Sequence, residues 1–212
     1  IKYISFIDKG IYILINSSKN SISSIVRQNQ KIILKKNIFF IILNHTLFSI
    51  IINTHDQSKF LGECIKSCIN QNYLNYEIII VDTSKKPSED KHIKNKKIKY
   101  FHLKENSRRF PVLNQMYQIR YGFKKSRGKY ICLLDGDDKF SRSKLTTIFK
   151  KFEKSKIQII QDIPTLFSKN SKKKSVIKNY KKNIFFQKLL VSWPQVFGTS
   201  TISCTNRILN KF

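Results

Sequence analysis

Acidic residues are scarce in this chain: 13 Asp and Glu stand against 41 Lys and Arg, for a formal net charge of +28. A surplus of that size invites two partner classes, nucleic acid and an anionic membrane surface. No RNA- or DNA-binding motif accompanies it, and Lys, Ile and Asn are abundant from end to end. The bias therefore reads as compositional, and a specific nucleic-acid partner is set aside. The densest basic run, Lys172 to Lys182, is interleaved with Ser, Asn and Tyr180. It reads first as a solvated loop or helix face. Its second reading, a surface for phosphate or anionic lipid headgroups, leaves peripheral contact with an anionic membrane open.

Cysteine is equally sparse, with Cys64, Cys68, Cys132 and Cys204 alone. They form no CxxC pair and have no well-spaced histidine partner, which argues against a zinc site. Cys64 and Cys68 lie one helical turn apart on an apolar face, and Cys132 sits in an apolar run. All read as reduced core residues, as suits a cytoplasmic protein. His45, His55, His92 and His102 are scattered, without metal-ligand spacing on one face. Long apolar runs are missing too. Residues 38–52 come nearest, but Asn44, His45 and Thr46 interrupt them, and they fall short of a spanning helix. No charged segment with a cleavage site opens the chain. It opens on Ile1 instead of Met, so a fragment is expected.

What remains is enough for one domain of ordinary size with a sizeable core. Residues 1–47 hold a single acid, Asp8, among short Ile-rich runs. They read as an N-terminal extension of unknown structure. From residue 48 the pattern sharpens. Phe48–Ile52 predicts a buried strand ending in the polar loop 53–58. Phe60, Leu61, Cys64, Ile65, Cys68 and Ile69 predict one face of an amphipathic helix. Strands are predicted at 77–81, 98–103, 130–134 and 157–161, and helices at 112–126 and 141–155, the latter turning Leu145, Ile148, Phe149 and Phe152 inward. Alternating apolar strands and helices imply an α/β fold with a mostly parallel sheet covered on both faces. Ligands of such sheets bind beyond the carboxyl ends of the strands. Polar clusters at 53–56, 82–84 and 135–138 fall there.

The last cluster carries the chemistry. Asp135-Gly136-Asp137-Asp138 gathers three of the chain's few acids just past an apolar strand. Burying clustered carboxylates unpaired is costly, whereas a divalent cation reverses the local electrostatics. The other reading is an acidic turn before a helix capped by Ser141 or Ser143.

Several stretches together resemble a known family. Ser49-Ile50-Ile51-Ile52-Asn53-Thr54-His55-Asp56, then Phe60 to Cys68, then Gln71-Asn72-Tyr73, then Glu77 to Asp82 are similar to the opening of family 2 glycosyltransferases. Gly128 to Asp138 is similar to that family's strand and DxD motif. The likeness covers about residues 48–165, with weaker echoes to 209. It implies a GT-A fold over residues 48–212, incomplete at its C-terminal end. It implies a metal-dependent, inverting transferase that moves a sugar from a nucleotide-diphospho-sugar donor to a glycan or lipid-linked acceptor, as in the building of cell-envelope polysaccharide. Thr54 and Asp56 would lie by the nucleotide and Asp82 by base or ribose. Asp135 would hold ribose or metal, and Asp137 the Mg²⁺ or Mn²⁺ ion that bridges the diphosphate. Asp138 would stand behind them or cap the next helix.

The likeness has departures. Asp82-Thr83 stands where the family often has two Asp, which leaves the base open. Asn53 replaces a more usual small residue or Pro, and Arg120 stands where Asn is frequent. Arg108 and Arg109 are equally a bidentate grip on pyrophosphate and plain surface charge. His55 stands where an aromatic is common and reads as a packing residue. Gly198 to Thr201 would lead to a strand lining the acceptor site. Trp193 is read as core or as a platform for a sugar ring. No Asp or Glu follows Asp162. The catalytic base is thus expected beyond Phe212, with Asp162 as a weak candidate. Two other classes stay open. A sugar nucleotidyltransferase on a related fold would carry a Gly-rich basic loop after the first strand, and Asn53–Ser58 has none. A non-catalytic basic nucleic-acid-binding module would leave the Asp cluster unexplained.

Overall fold

A computed structural model describes residues 32–33, 45–104, 110–168, 171–176 and 198–209. The chain divides into two compact units, Ile1–Leu43 and Asn44–Phe212. Of the first, Ile32 and Ile33 are described; they are helical and exposed. All further elements belong to the second.

The strands are β1 (Phe48–Thr54), β2 (Tyr76–Asp82), β3 (Ile98–His102), β4 (Tyr130–Asp135), β5 (Ile159–Gln161), β6 (Thr165–Ser168), β7 (Ser171–Val176) and β8 (Ile202–Thr205). The described helices of this unit are α1 (Ser58–Ile69), α2 (Pro111–Lys125), α3 (Lys144–Lys154) and the short α4 (Asn206–Leu209). Six strands form one sheet in the order β3-β2-β1-β4-β8-β5, and β6 pairs with β7 in a separate ribbon. β1 runs parallel to β2 and β4, and β2 parallel to β3. β8 alone is antiparallel to its neighbours β4 and β5, so the other five strands share one direction. The mostly parallel sheet follows from unbroken apolar runs: β1 and β2 are buried along their whole length, as strands covered on both faces must be.

Alternation assigns the two faces. Ile51, Ile131, Leu133 and Cys204 form one apolar cluster, with Ile119 and Phe123 of α2 packed on it. Phe48 and Tyr130 point the other way. There Phe48 meets Tyr73 with ring centres 4.9 Å apart, and Tyr130 stacks on Phe152 of α3 at 4.6 Å. α3 buries Leu145, Ile148, Phe149 and Phe152, the face its periodicity predicts. α1 buries Leu61, Cys64, Ile65 and Cys68, while Phe60 is largely exposed. All four cysteines are free and buried. Among the described residues no helix is long and apolar enough to cross a membrane.

Two differences from expectation have physical reasons. α3 begins at Lys144, because residues 141–143 turn back through the Lys144 N–H to Ser141 carbonyl bond (3.0 Å). Ser143 holds the N-cap position without a side-chain bond to the helix. α2 is polar on its buried side: Asn114, Gln118 and Gly122 are buried, whereas Val112, Leu113 and Met116 are exposed. Gly122 makes this possible. A Cβ there would stand 2.5 Å from Ile51 Cγ2, so any larger residue would push α2 off β1.

At the end of the sheet remote from the polar clusters, Glu77 is buried in β2. Its carboxylate accepts bonds from Ser49 Oγ (2.8 Å), the Arg127 N–H (2.7 Å) and Lys99 Nζ (2.9 Å). Burial pushes this carboxyl up, but the bonds and charge of Lys99, Arg127 and Ser49 outweigh it, and the net shift is downward. A depressed carboxyl contributes stability that is present above its unfolded pKa and lost as pH falls through the folded value. Glu77→Gln is expected to cost about 1–3 kcal/mol at pH 7. The gap should narrow at acid pH, as the folded parent protonates through its lowered value as well. Urea unfolding followed by circular dichroism at both pH values checks this, and a gap independent of pH would refute it.

Candidate functional site

The register gathers the polar strand ends. Across β1, Thr54 lies opposite Asp82 and Asn53 opposite Asp135. Because β1, β2, β4 and β5 are parallel, their carboxyl ends share one rim. β8 runs the other way and so enters at that rim, through the 3₁₀ turn Thr199–Thr201. The Asp162 N–H, just past β5, donates to the Thr201 carbonyl at 2.9 Å.

Asp135 is half-buried and points to the α2 side of the sheet, as Leu133 does two residues earlier. Its Oδ1 accepts from Asn53 Nδ2 at 2.8 Å, from Gln115 Nε2 at 3.0 Å, and from Thr199 Oγ1. Its N–H donates to Ser200 Oγ at 3.0 Å, and the Ser200 hydroxyl in turn donates to Asp138 Oδ2. Asn53 is itself buried, and its Oδ1 has no donor among the described residues.

The next carboxylate inward is spent on the fold. Asp82 is 1 % exposed, and it accepts from the Ser84 N–H (2.8 Å) and from the Tyr100 hydroxyl (2.6 Å). Burial, and then the Asp82 carboxylate, push that hydroxyl well above its usual range, so it stays a donor. Asp82, expected to face a base or ribose, also closes the turn after β2 with both of its oxygens. Thr83 beside it is a buried hub. Its Oγ1 accepts from Asn114 Nδ2 (2.8 Å) and Gln118 Nε2 (2.9 Å), and His55 Nδ1 lies 2.9 Å from its carbonyl. Asp56 adopts φ 51°, a left-handed conformation that Asp tolerates better than most residues. Its N–H donates to Ser84 Oγ at 2.8 Å, and its Oδ1 accepts from the Lys85 N–H at 3.3 Å. The loops after β1 and β2 are thus tied together.

Asp137 and Asp138 lie on the exposed part of the turn. Partial burial, and then the Asp137 and Asp135 charges, push the Asp138 carboxyl up against the bond from Ser200 that lowers it. Gly136 between them is closely walled: a Cβ would stand 2.5 Å from Thr54 Oγ1 and 2.7 Å from Gln57 Oε1. Among the described residues no three His, Cys, Asp or Glu side chains converge into a cage for a metal. Asp135 and Asp137 are two carboxylates on one turn, and Mg²⁺ is commonly held by one or two carboxylates with substrate phosphates completing its shell. The crowding of like charge favours a cation there.

The rim therefore brings together Thr54, Asp56, Asp82, Asp135 and Asp137. Arg108, Arg109 and Trp193 lie outside the described residues, as does the basic run beyond Val176. Asp162, the weak candidate for a base, is ion-paired with Lys144, which is 10 % exposed and whose ammonium burial pulls down. Sequence reasoning missed Asn114, Gln115 and Gln118 as parts of this rim, while Thr83 and Ser200 fell inside stretches it had singled out. A signal existed for the first three. They recur at i, i+1 and i+4 on a helix whose apolar residues make no clean stripe.

The family model described as Glycosyl transferase family 2 matches residues 49–211. An uncharacterized glycosyltransferase of Rickettsia conorii is 31 % identical over 173 residues, covering 76 % of this chain and 27 % of the relative. The chain thus spans about a quarter of that relative's length. Among solved structures, S. aureus TarS (residues 1–349, in complex with UDP-GlcNAc) is similar with a TM-score of 0.55 at 16 % identity, over 78 % of this chain and 47 % of that one. Mannosyltransferase PcManGT from Pyrobaculum calidifontis, in complex with GDP-Man and Mn²⁺, gives a TM-score of 0.54 at 12 % identity, over 77 % and 46 %. The fold is the GT-A fold of these neighbours.

The charge crowding at this turn is open to a direct check. A carboxyl raised by folding destabilises the native state as pH rises through its pKa. Asp138→Asn, which keeps an acceptor for Ser200, is expected to raise the metal-free melting temperature by about 1 °C at pH 7.5. The gain should vanish at a pH where Asp138 is protonated. A lower melting temperature at pH 7.5 would show that burial and the neighbouring charges do not disfavour the ionised Asp138.

Proposed function

The chain belongs to glycosyltransferase family 2, and from that premise we propose that it binds a nucleotide-diphospho-sugar at the rim formed by β1, β2 and β4. It transfers the sugar, with inversion at the anomeric carbon, to a glycan or lipid-linked acceptor. The observation that carries this reading is the Asp135–Asp138 turn. It places an exposed carboxylate, Asp137, beside one that is held from three directions, Asp135, at the mouth of a parallel sheet. The nucleotide sugars bound by the two solved neighbours support a donor of that class, and the Mn²⁺ of one supports a divalent cation.

Each rim residue then has a part. Asp137, with Asp135, holds Mg²⁺ or Mn²⁺ at the donor diphosphate. The ion supplies Lewis-acid stabilisation of the charge that grows on the leaving group. Thr54 and Asp56 line the nucleotide, and Asp82 shapes the loop against which it lies. Arg109, which lies outside the described residues, keeps the role the resemblance implies, a grip on the pyrophosphate. Asp162, the weak candidate for taking the acceptor proton, is ion-paired with Lys144. A lipid-linked acceptor would be met from the cytoplasm, where the basic run Lys172 to Lys182 offers a surface for anionic headgroups.

Asp137→Asn removes an anionic metal ligand and leaves the fold's own bonds in place. Titration calorimetry with UDP and with GDP, each with and without Mn²⁺, checks it. The variant is expected to bind about tenfold or more weakly with Mn²⁺ and as the parent does without it. Equal affinity of both proteins in Mn²⁺ would refute the metal assignment.

A further inference from the structure

Asp135 is the only side chain at the rim that three separate elements grip at a single oxygen among the described residues. Asn53 comes from β1, Gln115 from α2 and Thr199 from the turn before β8, and all three donate to Oδ1. None of them touches Oδ2. Next to Oδ2 stands Gly198, where even an added Cβ would remain 3.9 Å away. The two oxygens of one carboxylate are thus made unequal. Oδ1 is spent on the protein, and among the described residues none donates to Oδ2.

Gln115 differs from the other two donors. Its Nε2 lies 3.0 Å from Asp135 Oδ1 and 3.2 Å from Thr199 Oγ1, so one amide joins α2, β4 and the turn into β8. Asn53 is buried and paired in the sheet beside Asp135, so changing it disturbs β1 itself. Gln115 is half-buried, on a helix that Gly122 and Gln118 already anchor to the sheet. It can be altered with little consequence for folding.

We propose that Gln115 is a positioning residue. It fixes the rotation of the Asp135 carboxylate so that Oδ2 faces the metal-bound nucleotide diphosphate, and it couples that orientation to the Gly198–Thr201 turn. This rests on the donor-site reading above. The physics is that of an outer partner steering a ligand oxygen. A carboxylate free to rotate loses orientational entropy when it meets a cation, and one already held by hydrogen bonds does not. Removing such partners typically weakens metal binding about 10–100-fold.

The test is calorimetric titration of UDP and of GDP, with and without Mn²⁺, into the parent chain and into Gln115→Leu. The variant is expected to bind the Mn²⁺–nucleotide about 10–100-fold more weakly. Its metal-free nucleotide affinity and its melting temperature should match the parent. Gln115→Glu keeps the volume and helix propensity but sets a carboxylate against Asp135, and it should lose at least as much. If the Leu variant melts early, this second variant decides. Unchanged Mn²⁺-dependent affinity in both variants overturns the inference, and so does an equal loss with and without the metal. If the parent itself shows no Mn²⁺-dependent nucleotide binding, the donor-site reading fails and takes the inference with it.

Discussion

A buried side-chain amide closes the rim of this sheet. A carbonyl oxygen has two lone pairs, and at the strand ends Gln118 Nε2 uses the second one. It lies 2.6 Å from the Thr54 carbonyl, which also accepts the Thr83 N–H at 3.1 Å, 3.2 Å from the Val81 carbonyl and 2.9 Å from Thr83 Oγ1. The ends of β1 and β2 are thereby fixed to the same helix. That demands a close approach, which Gly122 permits one turn further along α2. Everything at the rim depends on this contact. With α2 seated, Asn114 reaches Thr83 and Gln115 reaches Asp135.

The same arrangement explains how so basic a chain holds acids close together. Asp82 is neutralised in effect by a hydroxyl and an N–H, and Asp135 by two amides and a hydroxyl. Dipoles do this work, although Lys and Arg outnumber the acids about three to one overall. A lysine inside the turn would compete with a metal ion for the carboxylates. Neutral donors orient them and leave their charge in place. The cationic partners stand further out, as in the Lys139–Glu63 and Lys144–Asp162 pairs.

Local sequence was enough for elements whose burial is periodic. Runs such as Ile50-Ile51-Ile52 and Ile78-Ile79-Ile80 suit only strands covered on both faces, and α3 shows its buried side in Leu145, Ile148, Phe149 and Phe152. The candidate acids were legible for a similar reason: three carboxylates after an apolar run are costly unless something cationic or polar meets them. α2 was legible as a helix but not for what it does. Its buried side chains, Asn114 and Gln118, are amides, whose value lies in carbonyls and a hydroxyl at the ends of other strands. β8 left little trace, because four residues of mixed character become a strand only when β4 and β5 flank them.

By itself, then, the sequence determined the alternation of strand and helix, the direction in which most strands run, and the placing of Asp82, Asp135 and Asp137 at strand ends. Those features follow from periodicity and from the rule that parallel strands finish on one side. Only the tertiary structure decided which of these acids is available. Asp82 is closed off by Tyr100 and Ser84, Asp135 is held at one oxygen by residues from β1, α2 and the turn into β8, and Asp137 is left exposed. The physical reason is that hydrogen-bond satisfaction is a property of neighbours in space. Gln115 and Asp135 are 20 residues apart, and Thr199 is 64 from Asp135, so no local pattern records that they share one oxygen.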